Sequence, residues 1–312
     1  MANYCRRLNS SFIINQRYSL ICSIKHVSTS FQPKNATEYC MDLVRRYDFE
    51  NFLCSLLLPS NIRSTAFAIR AFNIEIAQVR DVVTNRDIGR MRMQFWRDAL
   101  ENIYKDNPPQ QPVALELHRV LRKDKLTKRW FNRMIDCRET YLNDRGFENV
   151  QLMEDYGENS VASVHYLILE SAGIKNIHAD HVASHLGKSQ GIMVTIRGTP
   201  FNVSRNRVYL PMDLMIKHGV SQEDILRRKS DQKVKDLVYD IACVANQHLK
   251  LARSFKKELP KESRVIFLPA IACHSYLRQL ETYQFDIFHP HLQRRNSWLP
   301  FSLFWNKFRR HF

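Results

Sequence analysis

Glycine, paired cysteines and long apolar runs are scarce or missing in this sequence. The 312 residues include only 8 glycines, and alternating runs of β-branched residues are few, which weighs against a sheet-rich fold. The 7 cysteines contain no CxxC pair, so they favour buried thiols in a reducing compartment over a disulfide framework or a zinc site. No uninterrupted apolar run approaches the ~20 residues that a membrane-spanning helix needs, which predicts a soluble or peripheral protein.

Acidic residues are missing from the beginning of the chain, where the first one is Glu38. The preceding stretch carries Arg6, Arg7 and Arg17 among many serines, a composition typical of a mitochondrial transit peptide. We therefore predict a disordered transit peptide over residues 1–36; a disordered basic arm is the alternative. The whole chain has a formal net charge of +16, which predicts attraction to an anionic partner such as nucleic acid, anionic lipid or a diphosphate substrate.

Acidic residues are also missing from the end of the chain, over residues 287–312. If Pro300 begins a helix, the aromatic residues that follow share one face and the basic residues lie away from it. Such a helix is typical of a membrane interface; the alternative is that the aromatic face, with Phe312 included, packs on the rest of the protein. The residues predicted to contact a membrane are Trp298, Phe301, Phe304, Trp305, Lys307, Phe308, Arg309 and Arg310.

Between these ends, almost every segment has the apolar spacing of a helix. The first predicted helices are one from Tyr39 to Leu58, one over 61–83, and one with Ile88, Met91, Phe95, Ala99 and Ile103 on its buried face. Further helices are predicted over 112–122, 126–143, 150–172, 178–197, 231–258 and 261–285, with a capping-box-like start at Ser221. Because helices this hydrophobic cannot stand alone, residues 37–286 are predicted to form a single all-α domain, one large helical bundle.

Three blocks of sequence carry the functional signal of this domain. The first is LPSNIRSTAFAIRAFNIEIAQVRD, from Leu58 to Asp81, and the second is MRMQFWRDALENIYKDNPP, from Met91 to Pro109. The third is GKSQGIMVTIRGTPFNVSRNRVYLP, from Gly187 to Pro211, in which Gly198 and Pro200 are predicted to end a helix. Together, and in this order, the blocks resemble the squalene/phytoene synthase family over about residues 40–290. That resemblance implies the all-α isoprenoid (terpenoid) synthase fold.

The resemblance also implies a chemistry whose residues this chain has lost. In the family, two aspartate-rich motifs face each other across a helical cavity and hold Mg²⁺, which binds the substrate diphosphate. At the positions where the resemblance places those aspartates, this chain has Ala77, Gln78, Gly198 and Asn202, and only Asp81 remains. We therefore predict a non-catalytic member of the family, without a metal or another cofactor. An active prenyl-diphosphate transferase with a rebuilt site, or a peripheral membrane protein that binds an isoprenoid or lipid, is the alternative.

Residues close to the lost ligands do not replace them. Glu75 is two residues from Ala77, about 200° around a helix, and is predicted to face away from it. Asp81 is predicted to be a solvated acid at a helix end, or a partner of Arg80 or Arg86. These interpretations leave the predicted site without the carboxylates that Mg²⁺ prefers.

Histidines offer a weaker metal signal elsewhere in the chain. His178, His181 and His185 could share one helix face with metal-ligand spacing, but a solvated face is the simpler interpretation. The sequence has no zinc finger and no other recognisable nucleic-acid-binding motif, so nucleic acid is not predicted as a partner.

Within the family, a transit peptide combined with emptied aspartate motifs resembles the complex I assembly factor 6 group. The similarity includes FNIEIAQVRD, from Phe72 to Asp81, and RMRMQFW, from Arg90 to Trp96. It implies a function in the early assembly of mitochondrial respiratory complex I (NADH:ubiquinone oxidoreductase) at the matrix side of the inner membrane. Complex I subunits or assembly intermediates are then the expected partners. Nothing in the periodicity or composition by itself points to complex I.

Overall fold

Helices account for the regular structure of residues 35–83 and 85–171. The computed structural model places them at α1 (Ala36–Tyr47), α2 (Phe49–Leu56), α3 (Ser60–Val82), α4 (Arg86–Tyr104), α5 (Pro112–Leu121), α6 (Lys128–Thr140), α7 (Val150–Gly157) and α8 (Ser163–Ser171). A π-helical turn, Glu158–Ala162, joins α7 to α8.

The second half continues in the same way. Its α-helices are α9 (Ile177–Val203), α10 (Met212–Lys217), α11 (Gln222–Leu226), α12 (Gln232–Ser254), α13 (Pro269–Thr282) and α14 (Leu299–Phe308). Short 3₁₀ turns lie at Phe255–Lys257, Ser263–Phe267 and Pro290–Gln293.

The structure describes residues 35–83 and 85–312, and these ranges contain no β-strand. The predicted all-α class is therefore confirmed, and Asn35–Phe312 form one compact unit. The transit peptide predicted over 1–36 lies outside the described residues, except for Asn35 and Ala36, which begin α1. Within the described ranges, no helix is long and apolar enough to cross a membrane.

Several helices begin at a side chain that caps them. Asn35, Asn85 and Asn176 each accept a hydrogen bond from a backbone N–H in the first turn of the following helix. Ser221 and Asp224 form a complete capping box at the start of α11, which confirms that prediction. A side-chain cap of this kind contributes about 1 kcal/mol, because it satisfies a donor that the helix cannot satisfy itself.

The helix predicted from Tyr39 to Leu58 is divided at Asp48, so its predicted continuity is wrong. Asp48 has φ −142° and ψ 60°, and its carboxylate accepts hydrogen bonds from the Asn51 side-chain amide at 2.9 Å. The buried guanidinium of Arg70 lies 4.0 Å from the same carboxylate. The break between α1 and α2 turns Asp48 towards Arg70. The spacing of apolar residues in the sequence does not reveal this contact.

The buried face of α4 also differs from the prediction in its N-terminal half. The side chains wrongly placed in the core are Ile88, Met91 and Phe95, which are 47%, 71% and 45% exposed. Met93 and Trp96 are buried instead. The Trp96 indole packs edge-on against Phe72, with ring centroids 5.3 Å apart, and seating this larger ring fixes the rotation of the helix. Ala99 and Ile103 are buried as predicted.

α9 lies against α12 on one side and against α7 and the π-helical turn on the other. Two glycines allow the close contact of α9 with α7 and the π-helical turn. A Cβ at Gly187 would lie 2.5 Å from atoms of Ala162, and one at Gly191 would lie 2.6 Å from the Cα of Gly157. Since real Cβ atoms do not approach so closely, only glycine permits this packing. It holds in place the helix that carries the third sequence block.

Candidate functional site

α9 continues through the third block to Val203, so the helix end predicted at Gly198 and Pro200 is wrong. Pro200 has no N–H to donate to the fourth preceding carbonyl group. It lies within one turn of the end of α9, however, where Thr199 and Val203 are buried and keep the helix on its course. Positions Gly198 and Asn202 are therefore four residues apart on one continuous helix and share a face.

Gly198 lies on the wall of a pocket of about 360 Å³ that is lined by α1, α2, α9, α13, residues 292–296 and the first residue of α14. In this pocket, Arg197 Nη1 lies 2.7 Å from Glu50 Oε1, and its guanidinium is 5.8 Å from the Tyr276 ring. The hydroxyl of Tyr276 is buried and has no hydrogen-bond partner among the described residues. A Cβ at Gly198 would meet only the Asn202 amide nitrogen, at 3.4 Å. The backbone would therefore accept a larger residue at this position.

Asp81, the acid that remains in the first block, is paired with arginines of the third block. Its Oδ1 lies 3.0 Å from Arg205 Nη1 and 3.4 Å from Arg207 Nη1. The predicted partners, Arg80 and Arg86, are therefore wrong. Direct ion pairs join the two blocks, between residues that are more than 120 positions apart in the sequence.

Asp144 extends these ion pairs into a cluster. Its Oδ1 lies 2.8 Å from Arg80 Nη2 and 3.0 Å from Arg207 Nε, and it accepts a hydrogen bond from the Tyr209 hydroxyl at 3.0 Å. The Arg80 guanidinium also stacks on the Tyr209 ring, 3.8 Å from its centroid. We call Arg80, Asp81, Asp144, Arg205, Arg207 and Tyr209 the Asp81–Asp144 cluster. In it, three guanidinium groups surround two carboxylates.

The residues at the lost aspartate positions do not fit a Mg²⁺ site. Ala77 and Gly198 offer no ligand atom, and Gln78 and Asn202 offer only neutral oxygens. The carboxylate of Asp81 is held by two guanidinium groups, whose positive charge opposes a divalent cation. Over residues 35–83 and 85–312, no group of three or more His, Cys, Asp or Glu side chains could hold a metal ion.

Glu75 is held between two helices rather than at this site. Its carboxylate accepts a hydrogen bond from the Tyr39 hydroxyl at 3.3 Å, which links α3 to α1. Burial raises the pKa of Glu75, although its hydrogen bond to Tyr39 and the charge of Arg92 oppose the shift. Its contacts stabilise the helix pair.

The three histidines of α9 contact aromatic rings, and the solvated face predicted for them is present only in part, because His181 is exposed while His178 and His185 are partly buried. His178 and His181 stack on Phe255, with ring centroids 5.8 and 5.5 Å away. The Nδ1 atom of His185 lies 3.0 Å from Nδ1 of His248 on α12. Packing against neighbouring rings therefore explains the i, i+3, i+7 spacing of these histidines.

α14 is anchored by one face and exposes the opposite one. Leu299 and Leu303 are buried in a small apolar cluster with Cys54, Leu268 and Ala272. The exposed side chains are Trp298, Phe301, Phe304, Trp305 and Phe308, at 76%, 62%, 62%, 46% and 77%. At about 100° per residue, these five cover an arc of about 120° opposite the two leucines. We call this arc the aromatic face; it does not pack on the bundle.

Basic residues flank the aromatic face. Lys307, Arg309 and Arg310 are exposed, and the Arg309 guanidinium lies 4.9 Å from the Trp305 ring. Phe312, by contrast, was predicted to share this face and is only 5% exposed. Its ring packs against a core phenylalanine, Phe267, at 5.5 Å, because the chain leaves the helix before Phe312 and turns back to the bundle.

A buried polar network in the core was not predicted. His165 is fully buried, and its Nε2 lies 3.2 Å from Gln190 Oε1. The Gln190 amide in turn donates to the side-chain oxygen of Asn51 at 3.3 Å. Burial and the nearby charge of Arg70 lower the pKa of His165 to about 3, so the imidazole is neutral. The one signal in the sequence is Arg70 itself, a charge within the apolar stripe of α3.

Comparison with known proteins identifies the family of the chain. The family model described as squalene/phytoene synthase matches residues 44–301. The chain belongs to the squalene/phytoene synthase family. A crystal structure of a dehydrosqualene synthase in complex with a ligand has the same fold, with a TM-score of 0.74 at 15% identity over 88% of this chain and 95% of that one.

Closer relatives within the squalene/phytoene synthase family carry another name. Proteins named "NADH dehydrogenase (ubiquinone) complex I, assembly factor 6" are 51% identical in Bos taurus, over 88% of this chain and 82% of the relative. The Homo sapiens protein of that name is 50% identical, over 87% and 82%. The resemblance inferred from the three sequence blocks, to the family and to the assembly factor 6 group within it, is confirmed.

Proposed function

We propose that the protein acts in the early assembly of mitochondrial respiratory complex I and does not transfer prenyl groups. The observation that carries the first part is its 51% identity to a complex I assembly factor 6. The match covers 88% of this chain and thus nearly the whole helical unit. Complex I subunits or assembly intermediates are the proposed partners, inside mitochondria.

The Asp81–Asp144 cluster supports the second part of the proposal. Prenyl transfer of the family's kind needs carboxylates on both walls of a cavity to hold Mg²⁺ and diphosphate. Here the acid that remains on one wall is ion-paired with arginines that follow the other wall. Direct ion pairs thus join the two walls, and no metal is needed to connect them.

The aromatic face supports a peripheral membrane location, which we propose to be the matrix side of the inner membrane. Five large aromatic side chains between 46% and 77% exposed form a contiguous surface that water solvates poorly. Trp and Phe rings next to Lys and Arg side chains suit the headgroup region of a bilayer. We propose that the protein binds this membrane peripherally through α14.

Incubation with an allylic substrate tests the absence of catalysis. The purified protein is mixed with farnesyl or geranylgeranyl diphosphate and Mg²⁺, and pyrophosphate release is followed. We expect no release above a blank without protein. Turnover by the wild type that Asp81→Asn abolishes would refute the proposal, because it would show that the remaining carboxylate is catalytic.

A second candidate function is the binding of an isoprenoid or lipid in the pocket of about 360 Å³. Arg197 favours it, since its half-buried guanidinium lines the pocket beside Glu50. Calorimetric titration with farnesyl diphosphate, with and without Mg²⁺, decides between the candidates. Tight binding that requires the metal would point to an active transferase, whereas metal-independent binding would support a ligand-binding function.

A further inference from the structure

A groove runs beside α14 and shares Ser275 and Gln279 of α13 with the pocket that contains Gly198. It lies between α13 and α14 at the end of α12, and its volume is about 700 Å³. Its basic side chains are Arg253, Lys256, His274, Arg278 and His311, and no acidic side chain lines it among the described residues. We call it the cationic groove.

Acidic side chains are scarce around the basic residues of the groove. Over the described parts of the chain, Arg253 and Lys256 form no ion pair with an acidic side chain, and Arg278 has one acidic neighbour, the exposed Glu281 at 3.6 Å. Arg253 Nε donates to a main-chain oxygen of Phe312 at 3.1 Å, which offsets part of its charge. The remaining positive charges lie close together and attract an anion.

The pKa values of the groove show the same mutual repulsion. Burial lowers the pKa of Lys256, and the charges of Arg264 and Arg253 lower it further. The pKa of His274 is lowered by burial and then by Arg253 and Arg278. A bound anion would remove part of this cost, because its charge would favour the protonated forms.

The groove opens next to the aromatic face, because α14 forms a side of both. Ser302 and Asn306 of α14 line the groove, and Ser302 lies about 40–60° around the helix from Trp298 and Trp305. A membrane that contacts the aromatic rings therefore brings its headgroups to the mouth of the groove.

The size and lining of the groove favour a lipid over a small ion. A volume of about 700 Å³ is that of a site for a drug-sized molecule, much larger than a phosphate ion requires. Ile271 adds apolar surface to the lining, which suits the glycerol and the first methylene groups of a lipid. Hydroxyl and amide groups of Ser275 and Gln279 add hydrogen-bonding groups for phosphate or glycerol oxygens.

We infer that the cationic groove binds the phosphate headgroup of an anionic phospholipid while the aromatic face lies on the bilayer. The inference rests on the membrane contact proposed above and adds its lipid selectivity. Arg253, Lys256 and Arg278 supply the charge, and the aromatic face supplies affinity for any bilayer. The protein thus distinguishes anionic from neutral membranes by the groove.

Vesicle sedimentation with the full chain tests whether the groove provides the selectivity for anionic lipid and the aromatic face provides the affinity for any bilayer. Vesicles are made of phosphatidylcholine alone or with about one fifth of phosphatidic acid or cardiolipin. The groove variant combines Arg253→Gln, Lys256→Gln and Arg278→Gln. We expect its binding to anionic vesicles to fall at least tenfold, since each basic residue at a membrane surface contributes roughly a fivefold factor, and its binding to neutral vesicles to stay unchanged.

The matched control removes the same charge from residues that do not line the groove. It combines Lys125→Gln, Lys175→Gln and Lys233→Gln, three exposed lysines, and should bind anionic vesicles within about threefold of the wild type because distant charges are screened. Equal losses in the groove variant and the control would overturn the inference. A charge-keeping variant, Arg253→Lys with Arg278→Lys, should retain most of the preference, and it also covers the case in which the glutamine variant does not fold.

Two further arms distinguish a lipid headgroup from a free phosphate ion and check the membrane contact. If inorganic phosphate at millimolar concentration abolishes the preference for anionic vesicles without an equal effect of sodium chloride at matched ionic strength, the groove binds free phosphate and the lipid assignment is overturned. If Trp305→Ala with Phe308→Ala leaves binding to both vesicle types unchanged, the membrane contact itself is wrong. If the groove variant alone does not behave as predicted, only the lipid selectivity is wrong. The proposed membrane contact and the assembly function are not affected by that result.

Discussion

The Asp81–Asp144 cluster and the cationic groove use positive charge in opposite ways. In the cluster, three arginines meet two aspartates at distances between 2.8 and 3.4 Å. In the groove, Arg253 and Lys256 meet no acidic side chain among the described residues. The basic residues behind the net charge of +16 therefore have two different uses. Those paired with carboxylates stabilise the structure, and those without such a pair remain available to a partner.

Loosening α14 should have the largest effect on stability. This helix forms one side of the groove and no part of the cluster. Leu303 is fully buried, and Leu303→Ala should lower the free energy of unfolding, or of local opening of the tail, by about 2–4 kcal/mol. The matched control, Phe304→Ala, removes a side chain that is 62% exposed and should change stability by less than about 0.5 kcal/mol. Urea denaturation and hydrogen exchange over 299–312 measure both. Similar losses in the two variants would contradict the assignment of buried and exposed faces.

Acid should have the next largest effect, through the buried histidine of the polar network in the core. His165 lies close to Arg70, and its pKa is lowered from 6.5 to about 3 by burial and by that charge. Between these two values the unfolded chain binds a proton that the folded protein does not, so stability decreases as the pH falls through this window. We expect a loss of about 2 kcal/mol between roughly pH 6 and pH 4.

The variant His165→Gln isolates this contribution. It keeps a hydrogen-bonding group towards Gln190 and has nothing to protonate, so its free energy of unfolding should depend less on pH over the same range. Thermal denaturation at several pH values measures the difference. Parallel curves for the wild type and the variant would show that His165 is not the group that titrates.

Opening the cluster should have the smallest effect on stability. Asp81→Asn removes the partner of Arg205, but both side chains are 38% exposed, so the loss should be below about 1 kcal/mol. Asp87→Asn is the control, since Asp87 is 79% exposed and 3.8 Å from Arg90, and should change nothing measurable. A double-mutant cycle of Asp81 with Arg205 measures the pair directly. A coupling well above about 1 kcal/mol would mean that the cluster is less solvated than its exposure indicates.

The sequence predicted the helices well because their apolar residues recur with the period of a helix. The helix predicted over 231–258 is present as α12, where Val234, Leu237, Val238, Ile241, Ala245, Leu249 and Ala252 are buried at helical spacing, and the Ser221 cap is present. Errors arose where a tertiary contact outweighs the local pattern. The large ring of Trp96 rotates α4 away from the face that Ile88 and Met91 suggested, and buried neighbours carry α9 past Pro200.

The candidate site was harder to predict than the fold, because its decisive contacts are long-range. The identities of Ala77, Gln78, Gly198 and Asn202 showed which ligands were lost. Nothing local could reveal that Asp81 meets Arg205, which is 124 positions away. The cationic groove is likewise assembled from α12, α13 and the end of the chain, and no single stretch of sequence carries its pattern.

Complementation with the Asp81→Asn variant tests the central claim most directly. In cells that lack this protein, wild type and variant are expressed at equal abundance, and assembled complex I is measured on native gels. We predict that Asp81→Asn restores complex I to the wild-type level, because the carboxylate only pairs with arginines. Failure of the variant to restore it, at equal protein abundance and stability, would contradict a non-catalytic assembly function.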